Sequence, residues 1–183
     1  NASVADRARS FCDMGAKALW GCDTLPAEDF DYCVISPGIP PDSPLVTELD
    51  SRNIRAIPEL ELGWRHCNAP VIGITGTNGK STAVKFCVEV MTQAGLLCEA
   101  GGNYGKALSQ IALEKRPLDW IVAEVSSFQL ERIVDFHPAV GVILNIDEDH
   151  LDRHGTVDVY RRVKFRIFER MTSEEPKIVE GGL

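Results

Sequence analysis

Residues 71–82, Val-Ile-Gly-Ile-Thr-Gly-Thr-Asn-Gly-Lys-Ser-Thr, hold the densest set of groups able to do chemistry. An apolar run breaks into closely spaced glycines, then Lys80 with the hydroxyls of Ser81 and Thr82, then a helical pattern. The pattern predicts strand, phosphate loop and helix. Gly76 and Gly79 free the backbone to take positive φ and to approach a ligand, and the N–H groups opening the next helix face an anion. Gly76, Thr77, Asn78 and Gly79 would wrap a polyphosphate, Lys80 would reach its β- and γ-phosphates, and Ser81 would place its hydroxyl on a bridging Mg²⁺. The expected ligand is Mg-ATP or a relative. The general pattern has glycine where this chain has Ile74, a departure that narrows the family. An ordinary glycine-rich turn needs neither a lysine nor two hydroxyls in these places.

Other residues carry chemistry only if the fold brings them to that loop. Glu124 ends an otherwise apolar strand, where a carboxylate requires a cation or a donor. With a phosphate loop in the chain Mg²⁺ is its natural partner, the alternative being a capping or ion-paired acid. His150 lies just past a second buried strand, in the run Asp147-Glu-Asp-His150, where a neutral imidazole can ligate a second cation. Asp147 and Glu148 read as a solvated turn. Lys164 sits among Arg161, Arg162 and Arg166, and by composition it is a surface lysine. Asn103, after Gly101 and Gly102, is by default a turn residue, since asparagine tolerates left-handed backbone angles.

For these groups to meet, several strands must end on one rim. Residues 2–5 predict a short strand with Asp6 and Arg7 at its end, followed by a helix over 9–16. Residues 31–36 predict a second strand, and Pro37-Gly-Ile-Pro-Pro41 a stiff loop after it. Ser43 caps a helix opened by Pro44, residues 55–57 form a strand, and 59–66 a helix. Asn68-Ala-Pro70 marks a boundary near residue 69. Beyond the phosphate loop, a helix over 81–95 carries the apolar stripe Val84, Cys87, Val88, Met91. Strands at 98–100, 118–124, 139–145 and 176–179 alternate with helices at 107–113 and 157–170. This alternation predicts a doubly wound parallel α/β sheet, whose ligands bind at the strand ends.

The 183 residues are 44% hydrophobic and 25% charged, the balance of an ordinary soluble globular protein. A net charge of −8 without a basic stripe argues against a nucleic-acid footprint. There is no apolar run long enough to span a membrane and no secretory pattern. Six cysteines without a Cys-x-x-Cys pair predict reduced, buried thiols in a cytosol. The chain opens Asn-Ala-Ser-Val without an initiator methionine, which predicts a fragment.

Taken together, Gly76-Thr-Asn-Gly-Lys-Ser-Thr82, Gly101-Gly-Asn103, Glu124-Val-Ser-Ser-Phe-Gln-Leu130, Asn145-Ile-Asp-Glu-Asp-His-Leu-Asp-Arg153 and Tyr160-Arg-Arg-Val-Lys164 resemble the Mur ligase family in order and spacing. Within it, Glu-Val-Ser-Ser-Phe-Gln-Leu and Ser36-Pro-Gly-Ile-Pro40 are most similar to the member that adds D-glutamate to UDP-N-acetylmuramoyl-L-alanine. The sister that adds the third residue shares Glu-Val-Ser-Ser without Phe-Gln-Leu.

The resemblance implies a partial Rossmann-like UDP-substrate domain over 1–68, a partial central ATP-binding domain over 69–183, and a C-terminal amino-acid-binding domain outside this chain. It implies that Asp6, Arg7, Ser36, Pro37 and Gly38 lie beside the UDP moiety and that Asn103 touches the sugar-peptide arm. Ser126, Ser127 and Gln129 join them as substrate-binding residues. It further implies that Ser81 and Glu124 hold one Mg²⁺, while Glu124, His150 and a carbamylated Lys164 hold a second. Carbamylation turns a cation into an oxygen ligand that a hard metal accepts. Lys80, Glu124, His150 and Lys164 are then the catalytic set. The alanyl carboxylate attacks the γ-phosphate of ATP, and the amine of D-glutamate displaces phosphate from the resulting acyl phosphate. The implied partners are small molecules only, with no nucleic acid or membrane insertion, and the full-length protein is expected to be a cytoplasmic monomer. The rival from another class is a nucleotide-binding regulatory module, which has no use for a second metal site.

Overall fold

The computed structural model describes residues 4–22 and 24–181. Two parallel sheets organise them. The smaller pairs β1 (Tyr32–Ile35) with β2 (Arg55–Pro58). The larger contains β3 (Val71–Thr75), β4 (Cys98–Gly102), β5 (Trp120–Glu124), β6 (Val140–Ile143) and β7 (Lys177–Val179), in the order β4-β5-β3-β6-β7. Every pairing is parallel, as the βα alternation requires. From β3 the chain winds to one side for β4 and β5, then returns to the other for β6 and β7. That reversal puts the end of β3 where ligands bind in open α/β sheets.

The helices are α1 (Val4–Asp13), α2 (Pro44–Ser51), α3 (Glu59–His66), α4 (Lys80–Gln93), α5 (Leu108–Glu114), α6 (Ser127–Leu130), α7 (Leu151–His154) and α8 (Val157–Phe165), the last running into a 3₁₀ turn, Arg166–Phe168. Strand alternation divides the larger core into two layers. Ile121 and Ala123 face the layer built with Leu60, Leu108, Ile111, Phe136 and Ile167. Val122 and Ile74 face Val84 and the predicted stripe of Cys87, Val88 and Met91 on α4. The smaller sheet has its own core of Ile35, Val46, Leu49, Ile54 and Ala56. Ser43 caps α2 through a hydrogen bond from the Val46 amide.

Helix α3 follows β2 directly yet puts Leu60 into the core beside the larger sheet. It lies so close to α5 that a Cβ on Gly63 would stand 2.3 Å from the Ser109 nitrogen. Glu61, wholly buried, accepts hydrogen bonds from the amides of Val134 (3.0 Å), Asp135 (2.9 Å) and Phe136 (3.0 Å).

Three expectations need correction. Residues 1–3 lie outside the described residues, and Val4 and Ala5 open a helix rather than close a strand. The run Val-Ala-Asp-Arg-Ala-Arg is rich in good helix formers, and Asp6 and Arg9 come within 4.0 Å at the i,i+3 spacing. Asp6 and Arg7 therefore ride on α1 and not at a strand end. The cysteines are reduced among the described residues, but Cys12 and Cys22 are exposed and the other four are half-buried. Lys164 is no surface lysine, for only 1% of it is accessible.

Candidate active site

Four strand ends bring the chemistry together. At the end of β4, Gly102 has φ +86, and a Cβ there would come 2.3 Å from the Glu124 carbonyl oxygen, so only glycine allows this approach. The Asn103 amide then donates to that same oxygen (2.9 Å), and its side-chain Nδ2 donates to Glu124 Oε1 (2.7 Å). Ser81 Oγ, in the first turn of α4, donates to Glu124 Oε2 at 2.5 Å. The buried carboxylate that closes β5 is thus held by donors from the phosphate loop's helix and from the Gly-Gly-Asn turn.

Gly79, with φ +78, turns the phosphate loop into α4. Lys80 folds back over the loop and donates from Nζ to the carbonyls of Gly76 (2.9 Å) and Thr77 (2.8 Å). Lys164 reaches the same Gly76 carbonyl from α8, at 2.8 Å, with Thr75 Oγ1 at 3.4 Å. Burial pushes the Lys164 amine down to about 7; the nearby Lys80 ammonium adds to that, and Asp149 opposes it. Tyr160, one turn earlier on α8, lays its ring 4.6 Å from Lys164 Nζ and brings its hydroxyl to 3.3 Å from Thr77 Oγ1.

Asn145, just past β6, shapes the other side of the loop. Its Oδ1 accepts from the amides of Thr77 (3.0 Å) and Asn78 (2.8 Å), while its Nδ2 donates to the Asn78 carbonyl (3.1 Å). Asn145 and Tyr160 lie within the sequence motifs, but residue type and spacing give neither a role. An asparagine ending the strand beside a phosphate loop was the available signal.

The remaining candidates fall into four groups. His150 stands before α7 with φ +51, its Nε2 3.5 Å from Asp149 Oδ2 and its ring 4.8 Å from that of Phe128. Ser126 and Gln129 spend their side chains on each other as the capping box of α6, and Ser127 Oγ lies 3.1 Å from His154 Nε2. Pro37 and Gly38 line a cleft of about 560 Å³ with Phe128, Asp152 and Arg153, and Ser36 precedes them in the same loop. Asp6 and Arg7 are placed on α1, as described above.

Ser81 and Glu124 offer a hydroxyl and a carboxylate side by side, the hard oxygen donors that Mg²⁺ selects. The second expected set, Glu124, His150 and Lys164, contains an amine where an oxygen is needed. Among the described residues no three His, Cys, Asp or Glu side chains gather as a metal cluster. Nor, among them, is any helix long and apolar enough to cross a membrane.

A parallel sheet whose central strand runs into Gly-Thr-Asn-Gly-Lys-Ser and a helix, with a buried carboxylate on the neighbouring strand, defines a phosphate-loop nucleotide-binding α/β protein. Residues 74–181, more than half of the chain, match the model of the Mur ligase middle domain. The chain belongs to the Mur ligase family. The UDP-N-acetylmuramoylalanine--D-glutamate ligase of Alkaliphilus oremlandii (strain OhILAs) is 44% identical over 149 residues, covering 81% of this chain and 33% of its own. The enzyme of the same name from Streptococcus sanguinis (strain SK36) is 40% identical over 170 residues, covering 92% and 38%. Among solved structures, the UDP-N-acetylmuramate:L-alanyl-gamma-D-glutamyl-meso-diaminopimelate ligase from Neisseria meningitides has a TM-score of 0.57 at 17% identity, covering 84% of this chain and 52% of that one. That likeness is one of fold. The chain spans about a third of the length of the curated relatives it matches.

Proposed function

We propose that this chain carries the nucleotide-binding centre, and part of the UDP-substrate side, of an ATP-dependent ligase that joins D-glutamate to UDP-N-acetylmuramoyl-L-alanine. The observation that carries the chemistry is the Ser81–Glu124 pair at the mouth of the phosphate loop, with Lys80 and Lys164 converging on the Gly76 carbonyl. Relatives at 40–44% identity, named as UDP-N-acetylmuramoylalanine--D-glutamate ligases, supply the substrates of this reading.

In this reading the alanyl carboxylate attacks the γ-phosphorus of ATP and ADP leaves. Lys80, released from the loop carbonyls, neutralises charge on the transferring phosphoryl group. The amine of D-glutamate then adds to the acyl phosphate, loses a proton and expels phosphate as the amide forms. Asn103 orients Glu124, and Asn145 holds the loop in shape. Mg²⁺ held by Ser81 and Glu124 would neutralise phosphate charge, and Glu124, His150 and a carbamylated Lys164 would be the residues to hold a second ion, supplying the same neutralisation. An amine titrating near 7 is substantially free base at neutral pH, the form that adds to CO₂ with loss of a proton to give a carbamate. Asp6, Arg7, Ser36, Pro37, Gly38, Asn103, Ser126, Ser127 and Gln129 belong to the substrate side, and the two domains divide near residue 69. The enzyme would work as a cytoplasmic monomer on small molecules.

The test is ligation by the full-length protein given ATP, UDP-N-acetylmuramoyl-L-alanine and D-glutamate, with other amino acids in parallel. The expected result is ADP release that depends on D-glutamate. Lys80→Ala should lower turnover by about 10²–10³-fold or more, the scale of losing one charge-stabilising donor. Near-native turnover in that variant, or nucleotide binding without amide formation by the wild type, would overturn the assignment.

A further inference from the structure

Arg153, which lines the cleft beside the 37–41 loop, heads a side-chain relay that the phosphate site does not use. Arg153, on α7, grips Glu131 with a two-point fork, Nε to Oε1 at 3.1 Å and Nη2 to Oε2 at 2.6 Å. Two more of its hydrogens go to the other sheet's loop, Nη1 to the Ile39 carbonyl at 3.1 Å and Nη2 towards the Pro37 carbonyl at 3.5 Å. The guanidinium lies 5.1 Å from the centre of the Phe128 ring, and the Arg153 side chain is 14% exposed. Glu131 also stands 3.6 Å from His154 Nδ1, and His154 Nε2 is 3.1 Å from Ser127 Oγ. Burial favours neutral His154, so a proton on Nδ1 facing Glu131 leaves Nε2 to accept from the Ser127 hydroxyl.

This arrangement asks for arginine and nothing else. Pro37, Pro40 and Pro41 have no amide to offer and the Ile39 amide is already given to the Ser36 carbonyl, so the groups this loop turns to Arg153 are carbonyls. A planar fork with five donors can serve a carboxylate and two carbonyls at once, whereas a lysine ammonium is a point charge with three donors. The relay therefore ties the loop after β1, in the smaller sheet, to the first residue of α6, three positions past Glu124 in the larger one.

We propose that Arg153 is a positioning residue of the ligation, which through Glu131 and His154 holds the 37–39 loop in register with α6 and so sets how far the UDP-linked substrate's anchor stands from the phosphate loop. This rests on the function proposed above. It separates two quantities that a merely structural arginine would move together, the KM for the UDP-linked substrate and the KM for ATP.

The experiment uses the full-length enzyme with Arg153→Lys, which keeps charge and loses the fork, and Glu131→Gln, which keeps shape and loses charge. Arg153→Lys is expected to raise KM for UDP-N-acetylmuramoyl-L-alanine about tenfold, equivalent to about 1.4 kcal/mol, and to lower kcat. KM for ATP should stay within about twofold of wild type and the thermal midpoint should be little changed. Glu131→Gln should shift the same KM in the same direction by a smaller factor. Unchanged KM for the UDP-linked substrate in both variants, or KM for ATP rising in step with it, overturns the positioning role while wild-type ligation stands. Absence of wild-type ligation overturns this role and the proposed function together.

Discussion

At the scale of single residues, Lys164 shows how far burial can take a side chain from its composition. Its neighbours in sequence are arginines, yet α8 turns it inward with Tyr160, onto the Gly76 carbonyl. The folded amine titrates near 7 against an ordinary 10.5. Between those values the unfolded chain holds a proton that the folded chain lacks, so this group makes stability rise as pH goes from about 7 towards 10.5. Below about 7 both states are protonated, and the cost of burying the charge is present in full and constant. Lys164→Met, of similar length and uncharged, removes that dependence. Urea midpoints should show the methionine variant's advantage largest near pH 6 and shrinking towards pH 10; an advantage that does not change with pH would refute the assignment. The phosphate loop was legible because its glycines, lysine and hydroxyls are neighbours in sequence. Lys164 was not, because which face of an arginine-rich helix points inward depends on what packs against it. Arg153 was illegible for a related reason, since it meets the Ile39 carbonyl across 114 positions.

At the scale of elements, the continuous apolar runs placed β1, β3, β5 and β6, and Ser43-Pro44 placed α2. The failure at the start of the chain is equally instructive. Val4 and Ala5 fit a strand or a helix, and the Asp6-to-Arg9 spacing on one helical face favoured the helix. Close element approaches left a clearer mark, as glycines. Gly63 allows α3 to lie on α5, where a Cβ would stand 2.3 Å from the Ser109 nitrogen and 2.4 Å from Leu108 Cβ. Leu108 is wholly buried, so neither helix can give way freely. Gly63→Ala improves helix propensity, but overpacking outweighs that, for a net loss of about 1–3 kcal/mol. Chemical denaturation should read that loss as a lower midpoint at unchanged slope. A neutral or stabilised variant would mean that the two helices separate easily.

At the scale of the whole molecule, the question is what makes two sheets behave as one body. Helix α3 is the covalent bridge, because β2 ends at Pro58 and α3 begins at Glu59. Its anchor is Glu61, whose buried carboxylate takes the amides of Val134, Asp135 and Phe136, with Arg65 Nε donating to it at 3.0 Å. Glu59 adds a second tie, accepting from the Ser109 amide at 2.7 Å. Glu61→Ala would leave three backbone donors without their partner, each unsatisfied group costing about 1–3 kcal/mol. The cost should fall unevenly. Strands β3 and β5 keep their own layers of core, whereas β1 and β2 have a separate one and join them covalently through α3, with Arg153 as a further tie from the 37–39 loop. In hydrogen exchange, the wild type should protect β2, α3 and β5 to similar degrees, because opening the smaller sheet requires withdrawing α3. In Glu61→Ala the amides of β1, β2 and α3 should exchange faster, while those of β3 and β5 remain near wild type. Acceleration spread evenly over both sheets would show that Glu61 supports the common core rather than the joint, and no acceleration at all would show that Gly63 packing and Glu59 hold the joint without it.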